Sequence, residues 1–171
     1  MPLKAAHHRP HATRQAPPDR QRVGLVSDTH GLLRPEILAF LAASDHIIHA
    51  GDICEPAILE TLAAIAPVTA VRGNNDHGAW AARLPEVACI APGGVGVAII
   101  HDLHALKQHR LEDHIRVVIC GHSHRPLVEN RDGRLLVNPG SAGPRRFRLP
   151  IAAAELVIEG GRFSAHIREF G

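Results

Sequence analysis

The chain has 171 residues, enough to bury a sizeable core within one domain, and 45% of them are apolar. Aromatic residues make up only 3% and there is no Tyr, so the core is expected to be Ala, Val, Ile and Leu. The formal charge of +2 is unevenly placed: residues 1–22 carry Lys4, Arg9, Arg14, Arg20 and Arg22 against Asp19, a net of +4, which leaves −2 for the remainder. A tail rather than a body supplies the basic character. That argues against stable nucleic-acid binding, as does the scarcity of aromatic rings on which bases could stack.

Cys54, Cys89 and Cys120 stand far apart with no CxxC spacing, which argues against a disulfide framework and a thiolate zinc site and fits a reducing, cytoplasmic setting. No apolar run approaches the roughly 18 residues of a membrane span, and the N-terminus lacks the apolar run of a signal peptide.

Residues 1–21, rich in Pro, His and Arg, read as a disordered basic tail, and residues 22–171 as a single domain. A first strand is expected over Arg22–Ser27, stopping at Asp28-Thr29-His30-Gly31. Pro35 opens a helix with Ile37, Leu38, Leu41 and Ala42 on one face. A second strand, His46–Ala50, ends at Gly51-Asp52. Pro56 opens a second helix, with Ile58, Leu59, Leu62 and Ile65 apolar. A third strand, Val68–Val71, ends at Arg72-Gly73-Asn74-Asn75-Asp76. This β-α-β-α-β rhythm implies parallel strands with right-handed crossovers, and the carboxyl ends of such strands are where ligands bind.

The second half reads differently. Glu86–Ala91 and Val95–Ile100 form an expected hairpin around Pro92-Gly93-Gly94, ending at His101. A helix is expected over Leu103–Leu111. Arg116–Cys120 is a buried strand running into Gly121-His122-Ser123-His124. Pro126–Asn130 and Arg134–Val137 flank Asp132-Gly133, and Asn138-Pro139-Gly140-Ser141 makes a tight loop. Ile151–Ile158 and Arg162–Phe170 form a last hairpin around Gly160-Gly161. Crossovers followed by hairpins suggest two sheets packed face to face with helices outside.

Five expected strand ends thus carry Asp28 and His30, Asp52, Asn74, His101, and His122 with His124. In extended backbone, side chains two apart point the same way, so Asp28 and His30 would converge, with Thr29 facing away; His122 and His124 repeat that spacing. Gly51, Gly73 and Gly121 each precede a candidate ligand and allow a sharp turn or close approach. Seven nitrogen and oxygen donors exceed the four of a structural zinc site. They suffice for two cations that share a bridging carboxylate.

The ordered set Asp-x-His, Gly-Asp, Gly-Asn-x-Asp, His and Gly-His-x-His, running from about Val23 to Arg146, resembles the calcineurin-like metallophosphoesterases. The short length, Gly73-Asn74-Asn75-Asp76 and Asn138-Pro139-Gly140-Ser141 resemble its small bacterial and archaeal phosphodiesterase branch. The resemblance implies an α/β fold: a four-layer α/β/β/α sandwich of two mixed sheets with flanking helices. It implies a metal-dependent phosphodiesterase using a bridging hydroxide at a binuclear site. One divalent metal would be held by Asp28, His30, Asp52 and His124, the other by Asp52, Asn74, His101 and His122. Manganese is expected; iron, nickel, cobalt or zinc also suit these donors. The catalytic set implied is Asp52, Asn74, Asp76 and His101, with Asn75, His124 and Arg145 meeting a small phosphodiester. A homo-oligomer is compatible with the reading.

Many relatives have His where Asn75 stands, and Asn is a poor proton donor to a leaving alkoxide. His77 is a candidate replacement. Asp76 reads as orienting Asn74 or a backbone loop, and Asp102 as a partner of His101 or as a helix cap. His49 reads as a core imidazole bonded to backbone and Cys54 as a small buried residue. Asn138 reads as a site-lining or a purely structural turn residue. Arg145, Arg146 and Arg148 either meet substrate phosphate or form a solvated basic turn. Two other functions stay open. One is a non-catalytic protein-binding scaffold, as in the eukaryotic retromer subunit that resembles this branch. The other is a phosphomonoesterase, for which Arg145 and Arg146 would supply charge.

Overall fold

In the computed structural model, which describes residues 20–171, the apolar run after the basic segment forms strand β1 (Arg20–Val26). The expected tail lies outside the described residues up to position 19; Arg20 and Gln21, assigned to it, belong instead to β1, paired with Glu159 and Ile158. Strands β2 (His46–His49) and β3 (Val68–Ala70) continue the sheet in parallel, as the β-α-β rhythm requires. On the other side of β1 lie the long antiparallel strands β9 (Ile151–Glu159) and β10 (Arg162–Phe170), giving the order β10-β9-β1-β2-β3.

The second sheet contains β4 (Val87–Ile90), β5 (Gly96–Ile100), β6 (Ile115–Ile119), β7 (Leu127–Arg131) and β8 (Arg134–Asn138), in the order β4-β5-β6-β8-β7. Its edges are the two expected hairpins, but β5, β6 and β8 at its centre run parallel. The hairpin β7–β8 inserts its second strand next to β6.

Three apolar clusters separate four layers. Val23, Leu25, Ile48, Val97, Ile99, Val117, Ile119 and Leu156 fill the space between the sheets. Period-two alternation then turns Val26 and Ile47 to the opposite face, against Ile37 and Leu41 of α1 (Pro35–Leu41) and Ile58 and Leu62 of α2 (Pro56–Ala63). On the far side, Leu103, Leu106 and Leu111 cover Ala98, Ile100, Val118 and Leu136. The four-layer α/β/β/α sandwich is therefore present, with one thin outer layer. There the expected helix over Leu103–Leu111 is a 3₁₀ segment, Leu103–Gln108. Its start is pinned by Asp102, whose carboxylate accepts from His104 N–H at 2.9 Å. The segment is only six residues long and ends at an extended His109, and tighter winding suits so short a span.

His49, at the end of β2, is fully buried. Its Nδ1 accepts from Gly51 N–H at 3.2 Å. Its Nε2–H therefore donates to Thr29 Oγ1 at 2.9 Å, and that hydroxyl donates to Ile53 O at 3.3 Å. Burial pushes the imidazole down to about 3. Unfolded, it takes a proton near 6.5. Its stabilising contribution is thus complete above that pH and declines as pH falls toward the folded value, at up to about 1.4 kcal/mol per pH unit. Urea unfolding at pH 7 and pH 5 should show the wild-type chain losing about 2 kcal/mol more between the two than His49→Gln does; equal losses would contradict a neutral buried imidazole.

Candidate metal centre

The carboxyl ends of β1, β2, β3, β5 and β6 lead into loops that meet, and these loops carry all seven expected ligand-type side chains. The local geometry differs from the alternating strand expected. Asp28 (φ 54°), His30 (φ 45°), Asp52 (φ 56°), His122 (φ 67°) and His124 (φ 57°) all sit in the left-handed region beyond the strands. Such backbone costs on the order of 1 kcal/mol or more per non-glycine residue and persists only where its surroundings over-determine it. Here the first two loops are zipped together by Asp28 N–H to Gly51 O, His30 N–H to Asp52 O and Gly31 N–H to Ile53 O, at 2.9–3.0 Å.

Two donor groups result. In one, Asp28 Oδ1 lies 3.2 Å from His124 Nε2 and 4.0 Å from His30 Nε2, and the two imidazole nitrogens are 3.4 Å apart. In the other, Asp28, Asp52 and His101 bring ligand atoms within 4.8 Å of one another. Asn74 Oδ1 adjoins that group, 3.1 Å from His101 Nε2 and 3.0 Å from His122 Nδ1. Asp52 turns one oxygen to each side: Oδ1 is 3.4 Å from His101 Nε2 and Oδ2 3.7 Å from His30 Nε2. Asp28 belongs to both groups.

This donor set fits divalent cations. Asp28 Oδ1 is buried without a hydrogen-bond partner. His101 donates Nδ1–H to Ala50 O at 2.8 Å, which aims Nε2 at Asp52 and Asn74; protonated, that nitrogen donates to Asp52, and deprotonated it offers a cation its lone pair. The Cys54 thiol faces Asn75 O at 3.7 Å and lies 3.6 Å from His30 Nδ1, so a proton on that nitrogen leaves Nε2 free for a ligand. Acceptors converging on acceptors is the arrangement a cation resolves.

The electrostatics agree. Burial alone would raise Asp52, but hydrogen bonds from His101 and Asn75 hold it below the usual carboxylate range. Burial lowers His30 despite the neighbouring Asp52, keeping it in the neutral form a metal requires. Burial opposes a charge on His101, yet its hydrogen bond to Asp52 raises it. Burial pushes the Cys54 thiol up to about 11, so it stays protonated.

Asp76, expected among the catalytic residues, faces backbone. Its Oδ2 accepts from Asp52 N–H (3.0 Å) and Gly73 N–H (2.7 Å), and its Oδ1 from Ile53 N–H (2.8 Å) and Cys54 N–H (2.7 Å). It is a positioning residue that ties the Asp52 loop to the Asn74 loop. Asn75, expected to meet substrate, donates its backbone N–H to Asp52 Oδ1 at 2.8 Å and its amide to Oδ2 at 2.7 Å. Asn138 caps its own turn through Gly140 N–H and donates to Gly121 O at 2.7 Å, steadying the His122–His124 loop. A side chain on Gly73 would strike Asp52, and one on Gly121 would come within 2.9 Å of Asp28 Oδ2; both loops pass too close for a Cβ.

Asp102 is a cap, and His49 is a core imidazole. His77 is exposed beside a cleft of about 470 Å³ that Asn74, Asp76 and His101 also line. Arg145, expected to meet substrate, is exposed and makes no hydrogen bond among the described residues. Its neighbour Arg146 reaches the centre instead, with Nη2 3.4 Å from His30 Nε2. Three arginines on one turn gave no sequence signal to choose between them; the backbone of the turn decides. Of the two partners expected for Asp76, Asn74 or a backbone loop, its recorded hydrogen bonds are to backbone amides.

The sequence model of the calcineurin-like phosphoesterase superfamily domain matches residues 22–161, and the chain belongs to that family. It is 33% identical over 162 residues to a probable metallophosphoesterase of Methanothermobacter thermautotrophicus, covering 87% of this chain and 92% of that one. It is also 33% identical over 147 residues to the probable metallophosphoesterase YsnB of Bacillus subtilis, covering 79% and 83%. In fold it is similar to an archaeal phosphodiesterase (TM-score 0.72, 20% identity, 86% and 99% covered) and to vacuolar protein sorting 29 of Cryptosporidium parvum (TM-score 0.71, 19% identity, 88% and 98% covered). Among the described residues no helix is long and apolar enough to cross a membrane.

Asp76→Ala would strand four backbone donors and should cost at least ~3 kcal/mol in urea unfolding, with less manganese bound per chain. An unchanged midpoint would remove its positioning role. Imidazole ligands must be neutral to bind, so manganese retained after dialysis should fall as pH drops from 7 to 5, measured by elemental analysis.

Proposed function

We propose that this chain is a metal-dependent phosphodiesterase, formed by one domain over residues 22–171 and working in the cytoplasm on small phosphodiesters. The observation that carries the reading is the paired donor cluster, with Asp52 facing an imidazole of each group. Asp28, His30, Asp52 and His124 would hold one cation, and Asp52, Asn74, His101 and His122 the other. When bound, two such cations, manganese foremost, supply Lewis acidity and an acidified water for in-line attack on phosphorus.

The chain's own residues do the rest. Asn74 offers a neutral oxygen, so the site gains a ligand without further repelling an anionic substrate. Asn75 clamps Asp52 through both backbone and side chain, which preserves the bridging orientation. With its amide so engaged, Asn75 leaves the departing oxygen without a strong proton donor. Arg146 is the guanidinium within reach of the cluster, placed to meet a non-bridging phosphate oxygen. Among the described residues a single guanidinium is in hydrogen-bond contact with the cluster, which suits the single charge of a diester better than the dianion of a monoester. The likeness to Vps29 is one of fold, and the full set of ligand-type side chains favours an enzyme over a scaffold.

The manganese-reconstituted chain should hydrolyse phosphodiesters in preference to monoesters, with rates falling steeply as the leaving group becomes more basic. Asp52→Ala should lower kcat/KM by roughly 100-fold or more. Full activity in that variant, or a preference for monoesters, would overturn the assignment.

A further inference from the structure

The segment that carries Arg146 is tethered at both ends beside the centre. Ala142 N–H donates to Ser27 O and Ser141 Oγ–H to Asp28 O, both at 3.0 Å. The returning chain pairs Ser141 with Ile151, and Arg34 Nε donates to Gly143 O at 3.2 Å. Between these anchors, Leu149 N–H closes a turn onto Arg146 O at 3.1 Å, with Phe147 and Arg148 at its tip. Phe147 takes φ 54°, a conformation that disfavours a bulky side chain, and the residue is 93% exposed. Among the described residues the other exposed large apolar ones, Leu32 and Val128, stand at 39% and 37%.

This aromatic residue stands in solvent between Arg146, whose guanidinium meets the donor cluster, and Arg148, and it joins none of the apolar clusters of the fold. We propose that Arg146 and Phe147 together select the substrate. Arg146 takes a non-bridging phosphate oxygen, and Phe147 stacks on a flat aromatic ester group, a nucleobase or an aryl ring, carried by the same phosphodiester. This rests on the phosphodiesterase reading and narrows its substrate class. A ring face takes any such group, because every base or aryl ring presents a π-face, and the adjacent arginines favour the same partner by cation–π contact. Composition argues against a stacking platform; under this proposal the single ring next to Arg146 supplies one.

The test is calorimetric titration of the full-length, manganese-loaded chain with two monoanionic diester analogues, methyl phenylphosphonate and methyl methylphosphonate. Wild type should bind the phenyl compound about fivefold or more tightly than the methyl compound. Phe147→Ala should abolish that preference while leaving methyl methylphosphonate affinity unchanged, and Phe147→Trp should retain it. Circular dichroism of Phe147→Ala should match wild type, since the ring is solvent-exposed. An undiminished preference in Phe147→Ala overturns the proposal, as does a change in sedimentation with the preference intact, which would make the ring a contact between copies. Binding of neither compound would remove the phosphodiesterase reading itself, and this one with it.

Discussion

Two desolvated carboxylates set the terms for this molecule. Asp28 is fully buried and Asp52 is 2% exposed, and their oxygens lie within 4.8 Å of common imidazole partners. Burying an uncompensated anion costs several kcal/mol, so two in one cleft are tolerable only if positive charge or hydrogen-bond donors surround them. The donors present are specific: His122 N–H on Asp28 Oδ2, Asn75 twice on Asp52, and the His101 imidazole. One oxygen of Asp28 is left over, and it points at His124. A cation at that place answers both the residual charge and the facing lone pairs.

The surrounding architecture keeps that unfavourable arrangement from relaxing. Parallel pairing of β1, β2 and β3 brings three strand ends to one edge, and β5 and β6 bring two more from the facing sheet. Left-handed backbone at five of the seven ligand-type residues then turns side chains into the cleft. Each such residue resists its conformation, and each loop is tied to the next by backbone hydrogen bonds or by Asp76. Strain at a site braced this way is the pattern expected where geometry serves chemistry rather than stability.

The fold itself does not separate catalysis from scaffolding, because the same sandwich is shared with Vps29 and with an archaeal phosphodiesterase. The distinction lies in side chains at the strand ends and on the turn that overhangs them. The donor cluster speaks for metal chemistry. The Arg146–Phe147 turn adds a charged contact and a flat apolar one, which a surface used only for support of the fold would not need.

Much of this was legible in the sequence. Five apolar strands stop at a ligand-type residue, and that punctuation survives folding because a hydrophobic run ends where the chain leaves the core. The order of motifs therefore named seven ligand-type side chains whose loops meet in the structure. What the sequence could not state were the terms fixed by distant partners. The parallel insertion of β8 beside β6 depends on packing across the sandwich, not on the local Asp132-Gly133 turn that makes its hairpin with β7. Asp76 reaches four amides, three of them on the loop after β2, so its task appears only when β2 and β3 are side by side. The convergence of Asp28 with His30 was foreseen from alternation, yet it is achieved by left-handed residues in a loop, because hydrogen bonds to the Asp52 loop bend the chain there. Likewise the choice of Arg146 over Arg145 rests on the direction of one exposed turn. Local pattern reports which groups are polar and where strands end; only the assembled backbone decides which of them face one another.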